Sequence, residues 1–211
     1  MKITKLFSLS LLLLFITNVT AQEFKLGKVS IAELEQKVHP KDSSAAAAIL
    51  YKKGKTRMEY DENYGFVIIT EVETRIKIYK KEGYEWANQN VWYYNESDFK
   101  EKVSFSDAVT YNLVDGKIEK TKLKSDGVFD EVLNKLRAQK KITMPNVKEG
   151  SVIEFNYIIR TPSDRMIREW DFQTSIPVNY SEFSTYIPAS AGIDQKYDGR
   201  VFLFKIPTFG L

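Results

Sequence analysis

The amino-acid sequence predicts a mainly β protein, an antiparallel β-sandwich with one or two short helices. Apolar and polar residues alternate through several segments of the chain, which is the pattern of a strand with one buried face. Asp115 and Gly116 separate two such segments, and this dipeptide tolerates the positive φ angles of a tight hairpin turn. Other segments follow one another across short turns with proline or glycine, and strands joined in this way favour an antiparallel sandwich.

The strands are expected to begin near Ala47. The four alanines at 45–48 favour helix in isolation, but they run into Ile49-Leu50-Tyr51, so we predict a strand there that turns at Lys53-Gly54. Gly116 is expected to have a positive φ. The same reasoning predicts strands at 55–60, 66–79, 91–94, 109–114, 117–123, 151–160, 169–174, 181–187 and 200–206.

Two short helices and a single helical turn are predicted. Ser30 and Glu33 match the capping box, and Pro40 is expected to end the helix that begins there. Residues 82–87 can form a single helical turn. A further helix over residues 129–139, with Asp126 as N-cap, is suggested by apolar residues at helical spacing, which are Phe129, Val132, Leu133 and Leu136.

Residues 1–21 have the features of a secretory signal peptide. Lys2 and Lys5 precede an apolar run of 11 residues at 6–16, and small residues precede Gln22. A helix needs roughly 20 residues to cross a bilayer, so we expect cleavage before Gln22 and no transmembrane anchor. The mature protein is then expected to be periplasmic or extracellular. Residues 22–211 are expected to form one β-rich domain, truncated at its C-terminus because Leu211 closely follows a strand-like stretch.

Charge and cysteine content exclude several classes of function. Removing residues 1–21 discards two of 31 basic and none of 28 acidic residues, which leaves a net charge of about +1. Acidic and basic residues are interleaved along the mature chain, which argues against nucleic acid and anionic membranes as partners. The sequence contains no cysteine, so disulfides, thiolate metal sites and a cysteine nucleophile are excluded within these residues.

No set of residues in the sequence predicts a catalytic, cofactor or metal site. His39 is the only histidine, and we expect it to be a solvated residue at a helix end. Two carboxylate pairs, Glu71 with Glu73 and Asp126 with Asp130, could in principle perform hydrolysis. For the first pair, Arg75 and Lys77 continue the same strand face and suggest a solvent-exposed ladder of charges.

Aromatic residues form two clusters that have two possible uses. Exposed rings could stack on sugars or bind a partner chain, but strand alternation places about half of each cluster inward and favours core packing. The clusters are Trp86, Trp92, Tyr93 and Tyr94, and then Trp170, Phe172 and Tyr180.

An ordered set of short segments across residues 23–188 resembles the DUF3857 family, which is found N-terminal to transglutaminase-like domains in exported bacterial proteins. Such proteins usually continue into a domain with a cysteine, histidine and aspartate triad, and no residue of that triad can be assigned in this chain. The segments include Ala48-Ile49-Leu50-Tyr51, Arg75-Ile76-Lys77-Ile78, Met144-Pro145-Asn146-Val147, Gly150-Ser151-Val152-Ile153-Glu154 and Ile176-Pro177-Val178.

The resemblance implies a non-catalytic accessory domain that positions an unknown protein, peptide or glycan for a downstream catalytic domain. An alternative is a stand-alone module that binds envelope polysaccharide or protein through exposed aromatic rings. A hydrolase with paired carboxylates is the third alternative, and it would need two acids facing each other in a concave pocket.

Overall fold

A computed structural model describes residues 24–97, 99–163 and 168–186, and the backbone of residues 201–207. The predicted signal peptide and its cleavage site lie outside these residues. In the described part of the chain, the strands form a seven-stranded sheet in the order β10-β9-β1-β2-β8-β4-β5 and a three-stranded sheet in the order β3-β7-β6. Their bounds are Ala47–Asp61 (β1), Gly65–Ile78 (β2), Asn88–Tyr94 (β3), Lys102–Val114 (β4), Lys117–Lys122 (β5), Val128–Val132 (β6), Arg137–Thr143 (β7), Val152–Thr161 (β8), Tyr180–Tyr186 (β9) and Val201–Pro207 (β10).

The two sheets pack face to face, which confirms the predicted β-sandwich. Ile76 of β2 and Ile153 of β8 lie in the same buried cluster as Ile142 of β7. A second cluster joins Tyr93 and Ala138 of the smaller sheet to Ile159 of β8. Apolar side chains of both inner faces therefore form the core, as expected for two stacked sheets.

One strand pairing departs from the antiparallel prediction. β9 runs parallel to β1, with Lys52 opposite Ser181, whereas the other strand pairs are antiparallel. The connection from β8 to β9 passes both β2 and β1. β8 and β9 run in the same direction, and strands with the same direction need a crossover connection of this kind. This connection contains residues 169–174, which were predicted as a strand and are irregular in the structure. Trp170 from this connection packs on β1 and β9.

The local predictions of turns and helices have mixed outcomes. The capping box of Ser30 and Glu33 is present, and it begins α1 (Ile31–Glu35), which ends five residues before Pro40 because Gln36 is already extended. The predicted helical turn forms as the 3-10 helix Lys81–Ala87. A second 3-10 turn spans Ser125–Gly127.

The Asp115-Gly116 hairpin is confirmed, and two other predictions are wrong. Asp115 and Gly116 both have positive φ, at 49° and 73°, as a two-residue hairpin turn requires. Gly54 does not form a turn, because β1 continues through it and pairs with β2 along its whole length. The predicted helix at 129–139 is instead the β6–β7 hairpin, and its helically spaced apolar residues remain exposed.

Candidate functional site: a cationic groove

His39 is buried rather than solvated, so the prediction of an exposed helix-end histidine is wrong. The side chain is 5% exposed. Nε2 lies 2.8 Å from Oδ1 of Asn179, and Nδ1 accepts a hydrogen bond of 3.2 Å from the backbone N–H of Asp42. Both ring nitrogens therefore hold the N-terminal segment against the loop that precedes β9, and neither is left for proton transfer to a substrate.

Arg75 and Lys77 are also buried, which overturns the predicted solvent-exposed ladder. Arg75 donates to Glu154 (2.7 Å) and to Glu33 (2.6 Å), and Glu154 also accepts from the backbone N–H of Gly27 (2.8 Å). The segment that contains α1 covers this end of the outer face of the larger sheet. Its capping-box glutamate supplies a second carboxylate to the buried guanidinium.

Lys77 anchors the same segment through backbone oxygens. Its Nζ donates to the carbonyl of Leu34 (2.9 Å) and of Gly150 (2.5 Å). Burial, together with the positive charge of Lys37, lowers the pKa of Lys77 to about 8. Arg75 and Lys77 therefore form a buried polar cluster that holds the N-terminal segment on the larger sheet.

The two carboxylate pairs do not form the concave two-acid pocket that hydrolysis would need. Glu71 and Glu73 line a shallow hollow together with Lys53 and Lys55, and burial and the charge of Glu71 raise the pKa of Glu73. Asp126 is exposed in the 3-10 turn.

Asp130, the partner that the sequence suggested for Asp126, is already engaged. It is bonded to Tyr93 (3.0 Å) and Lys140 (2.7 Å). Burial opposes the shift, but these two hydrogen bonds and the lysine charge leave its pKa below the ordinary value. A carboxylate held in this way remains ionised and is a poor proton donor.

The described residues form an open groove of about 670 Å³. It lies where the ends of β1, β2, β4 and β8 meet the edge of the three-stranded sheet. Its walls carry five cationic and two acidic side chains, together with aliphatic residues and Tyr93. The charged lining residues are Arg57, Lys100, Lys102, Lys140, Arg160, Glu101 and Asp130.

The acidic residues of the groove are neutralised internally. Glu101 is 1% exposed and accepts hydrogen bonds from Thr161 (2.6 Å) and from the backbone N–H of Tyr94 (2.9 Å), in addition to its ion pair with Arg168. Asp130, as described above, is paired with Lys140. Neither carboxylate offers a free charge to the groove.

Two cations of the groove remain available. Lys100 and Lys102 are exposed and make no ion pair within the described part of the chain. Arg160 is paired with Asp61, and Arg57 with Glu59 (2.6 Å). The groove therefore presents a net positive surface that attracts an anionic group.

The aromatic clusters are used mainly for packing. Tyr93 is buried, and Trp86 packs against the core. Trp170 stacks on Phe183 with ring centroids 5.1 Å apart. Trp92 is exposed, but two guanidinium groups lie over its ring, those of Arg168 at 4.3 Å and Arg137 at 5.1 Å. Cations of the protein itself thus lie against the ring on which a sugar would stack.

Sequence reasoning did not find the groove. Its charged residues come from five strands and one loop that are far apart in sequence, and no local spacing links Arg57 to Lys100 or Arg160. The available signal was weak: Arg57 and Arg160 fall within predicted strands (55–60 and 151–160), but no strand was predicted around Lys100. Only the order of strands in the sheet brings these residues together.

The described residues contain no group of three or more histidine or acidic residues arranged to hold a metal ion. Among the described helices, none combines the length and apolar character that crossing a bilayer requires.

Comparison with known proteins gives one family and a structural neighbour. Residues 69–202 match the family described as "Domain of Unknown Function with solved-structure structure (DUF3857)". No curated protein matches the chain. The fold is similar to a crystal structure described as a "putative protease" from Parabacteroides distasonis ATCC 8503, with a TM-score of 0.54 and 14% identity over 77% of this chain.

This chain spans 36% of that protein, which is therefore considerably longer than the region compared. A crystal structure described as a "putative nutrient binding protein" from Legionella pneumophila gives a TM-score of 0.32 and 8% identity over 78% of this chain and 64% of that one.

Proposed function

Since this chain belongs to the DUF3857 family, we propose that it is a non-catalytic accessory domain of an exported transglutaminase-like protein. In this proposal the groove holds a protein or peptide segment that carries acidic side chains, and a catalytic domain elsewhere in the intact protein acts on the bound molecule. The transglutaminase-like setting follows from the family resemblance, and the ligand class follows from the charge of the groove.

The observation behind this proposal is that, within the described part of the chain, two cations of the groove make no ion pair while its own carboxylates are satisfied internally. Lys100 and Lys102 lie at the mouth, and the internal bonds of Glu101 remove its competing negative charge. Complementary charge steers a partner to its site and fixes its orientation more than it adds affinity. Modest binding with strong salt dependence is therefore expected.

The chemistry of acyl transfer supports a non-catalytic role. Transglutaminase-like reactions need a thiolate, a histidine that moves the proton and a group that orients the histidine. The sequence contains no cysteine and one histidine. Both ring nitrogens of His39 are bonded within the fold, to Asn179 and to Asp42.

One further observation supports the proposal that a catalytic domain accompanies this domain in the intact protein. The structurally similar Parabacteroides protein is described as a putative protease, and this chain corresponds to 36% of it. A segment of that size leaves room for a separate catalytic region in a protein of similar length. The alternative of sugar stacking has less support, because two guanidinium groups of the protein already lie over the exposed Trp92 ring.

Activity is tested with the protein recovered from an exporting host and with its His39→Ala variant. We expect neither to hydrolyse or transamidate amide and peptide substrates above background. Turnover by the wild-type protein that disappears in His39→Ala would overturn the non-catalytic proposal.

Binding is tested by fluorescence anisotropy with a labelled ten-residue peptide of alternating Glu and Gly. We expect Lys100→Glu with Lys102→Glu to weaken binding roughly tenfold or more, and added salt to weaken the wild-type complex. The matched control is Lys117→Glu with Lys120→Glu, which makes the same charge change on exposed positions of β5. Equal losses in the two double variants, or no binding by the wild type, would contradict the assignment of the ligand to the groove.

A further inference from the structure

The β6–β7 hairpin carries four large apolar side chains that face solvent, three of them at its turn and one, Phe129, farther along β6 opposite Lys141. Phe129 is 48% exposed, Val132 70%, Leu133 47% and Leu136 54%. We call these four residues the apolar tip. Soluble proteins rarely leave such side chains clustered on a projecting turn, and clusters of this kind mark interaction sites.

The turn that carries the apolar tip is ordered. The Asn134 side chain accepts hydrogen bonds from the backbone N–H groups of Leu136 (2.9 Å) and Arg137 (3.0 Å). The N–H groups of Leu133 and Asn134 donate to the carbonyl of Arg137, at 3.0 and 3.1 Å. These bonds fix the two leucines in an exposed position, so their exposure is built into the hairpin.

Aromatic and cationic side chains adjoin the apolar tip. In the three-stranded sheet Trp92 pairs with Gln139 and Tyr94 with Arg137, which places Trp92, Tyr94 and Arg137 on the outer face. The guanidinium of Arg137 lies 5.1 Å from the Trp92 ring and 5.9 Å from the Tyr94 ring. Tryptophan, tyrosine and basic residues are the side chains that proteins place at the membrane–water interface.

The hairpin is locally positive even though the mature chain is nearly neutral. Asp130 and Glu131 are paired with Lys140 (2.7 Å) and Lys141 (2.5 Å). Lys135 and Arg137, beside the leucines, make no ion pair within the described residues. Basic residues at such a position are attracted to anionic lipid head groups.

The shape of the apolar tip favours a lipid layer over a protein surface. Phe129 and Val132 are an odd number of positions apart on β6, so their side chains lie on opposite faces of the hairpin. A partner protein with a flat contact surface would cover one face and leave the other in water. A lipid layer surrounds an inserted tip on every side.

We propose that the apolar tip inserts into the interfacial layer of an anionic phospholipid bilayer and binds this domain to the membrane surface. Lys135 and Arg137 contact head groups, and Trp92 and Tyr94 lie at the level of the head groups. The attachment is peripheral and reversible, because only a few apolar side chains enter the lipid and none of the described helices is long and apolar enough to span it.

The first test is co-sedimentation of the protein, recovered from an exporting host, with vesicles of phosphatidylcholine and phosphatidylglycerol in a 3:1 ratio. Leu133→Asp with Leu136→Asp should reduce the bound fraction by roughly tenfold or more. The matched control, Tyr60→Asp with Tyr64→Asp, places the same charges on another exposed hairpin, where the wild-type residues are 71% and 61% exposed. It should bind as the wild type does. Thermal unfolding of each variant establishes that it is folded.

The second test uses the absence of cysteine in the chain. An environment-sensitive fluorophore attached to Leu136→Cys should shift to shorter wavelength when vesicles are added, and the same fluorophore on Tyr64→Cys should not. Equal shifts at both positions, or no vesicle binding by the wild type, would overturn the proposal. A wild-type dimer that becomes monomeric in the leucine double variant, without vesicle binding, would show that the apolar tip joins two copies of the chain instead.

Discussion

The indole ring of Trp170 packs against the backbone of Gly54 in the middle of β1. A Cβ atom placed on Gly54 would lie 2.5 Å from Cζ3 of Trp170 and 2.6 Å from Cδ2 of Phe183. The indole Nε1 donates to the hydroxyl of Ser181 (3.0 Å), and the ammonium of Lys52 lies 4.3 Å from the ring centroid. The missing side chain at position 54 thus makes room for the ring that joins the β8–β9 connection to the sheet.

Gly54→Ala should therefore destabilise the protein by about 1–3 kcal/mol, because the added methyl group displaces two rigid rings. Urea unfolding followed by tryptophan fluorescence measures the change. In the Trp170→Ala background the Gly54→Ala substitution should cost much less, since one of the obstructing rings is absent. Identical costs in both backgrounds would show that the ring contact is unimportant.

The buried pair of Arg75 and Glu154 gives the second prediction. Arg75→Leu leaves Glu154 and Glu33 without their cation, and breaking a buried pair in this way costs about 3–5 kcal/mol. The free energy of unfolding should fall by that order, and limited proteolysis should cleave near α1 sooner than in the wild type.

A partly exposed arginine provides the control. Arg57 pairs with Glu59 at the surface (2.6 Å), and surface pairs contribute about 1 kcal/mol or less. Arg57→Leu should thus change the unfolding free energy much less than Arg75→Leu. If both variants lost a similar amount of unfolding free energy, the buried pair would not be what holds the N-terminal segment in place.

Lys77 gives a prediction on pH. Its pKa is lowered from 10.5 to about 8 in the folded protein by burial and by Lys37. Between about pH 8 and 10.5 the unfolded chain therefore binds more protons than the folded chain, and stability rises with pH. Below this window the lysine is charged in both states, and the contribution to stability is at its lowest.

The difference in unfolding free energy between wild type and Lys77→Met should accordingly increase from pH 8 to pH 10, in favour of the wild type. The tyrosines are common to both proteins, so their titration cancels in the difference. Lys117→Met, at an exposed position of β5, should show no such trend. A difference that stays constant from pH 8 to 10 would mean that the lysine keeps its proton in the fold.

Much of the fold was predictable because its signals are local. The alternation of residues 66–79 predicts a strand, and Asp115-Gly116 predicts a hairpin turn, each from the local sequence alone. Both predictions are confirmed in the structure. The failures involve tertiary contacts. Gly54 suggests a turn in the sequence, yet it is required by a ring that arrives from more than 100 residues away.

The prediction of a helix over residues 129–139 failed for a different reason. Apolar residues at helical spacing predict a helix when they face a core, but those of the apolar tip face solvent. The pairing of β7 with β3 instead makes this segment a strand. For Arg75 and Lys77 the local structure was predicted correctly, but their burial was not. Alternation placed them correctly on one face, but the sequence does not reveal that α1 covers that face.

His39 gives the last prediction, which separates a structural role from a catalytic one. Its ring bridges Asn179 (2.8 Å) and the backbone N–H of Asp42 (3.2 Å) in a buried environment. His39→Ala leaves those two groups without their partner, and such a loss costs about 1–3 kcal/mol. Val38→Ala, at the exposed neighbouring position, should change stability by about 0.5 kcal/mol or less. Chemical denaturation of the two variants measures both values. A His39→Ala protein as stable as the wild type would show that the bridge contributes nothing to the fold, and the histidine would then need another explanation for its burial.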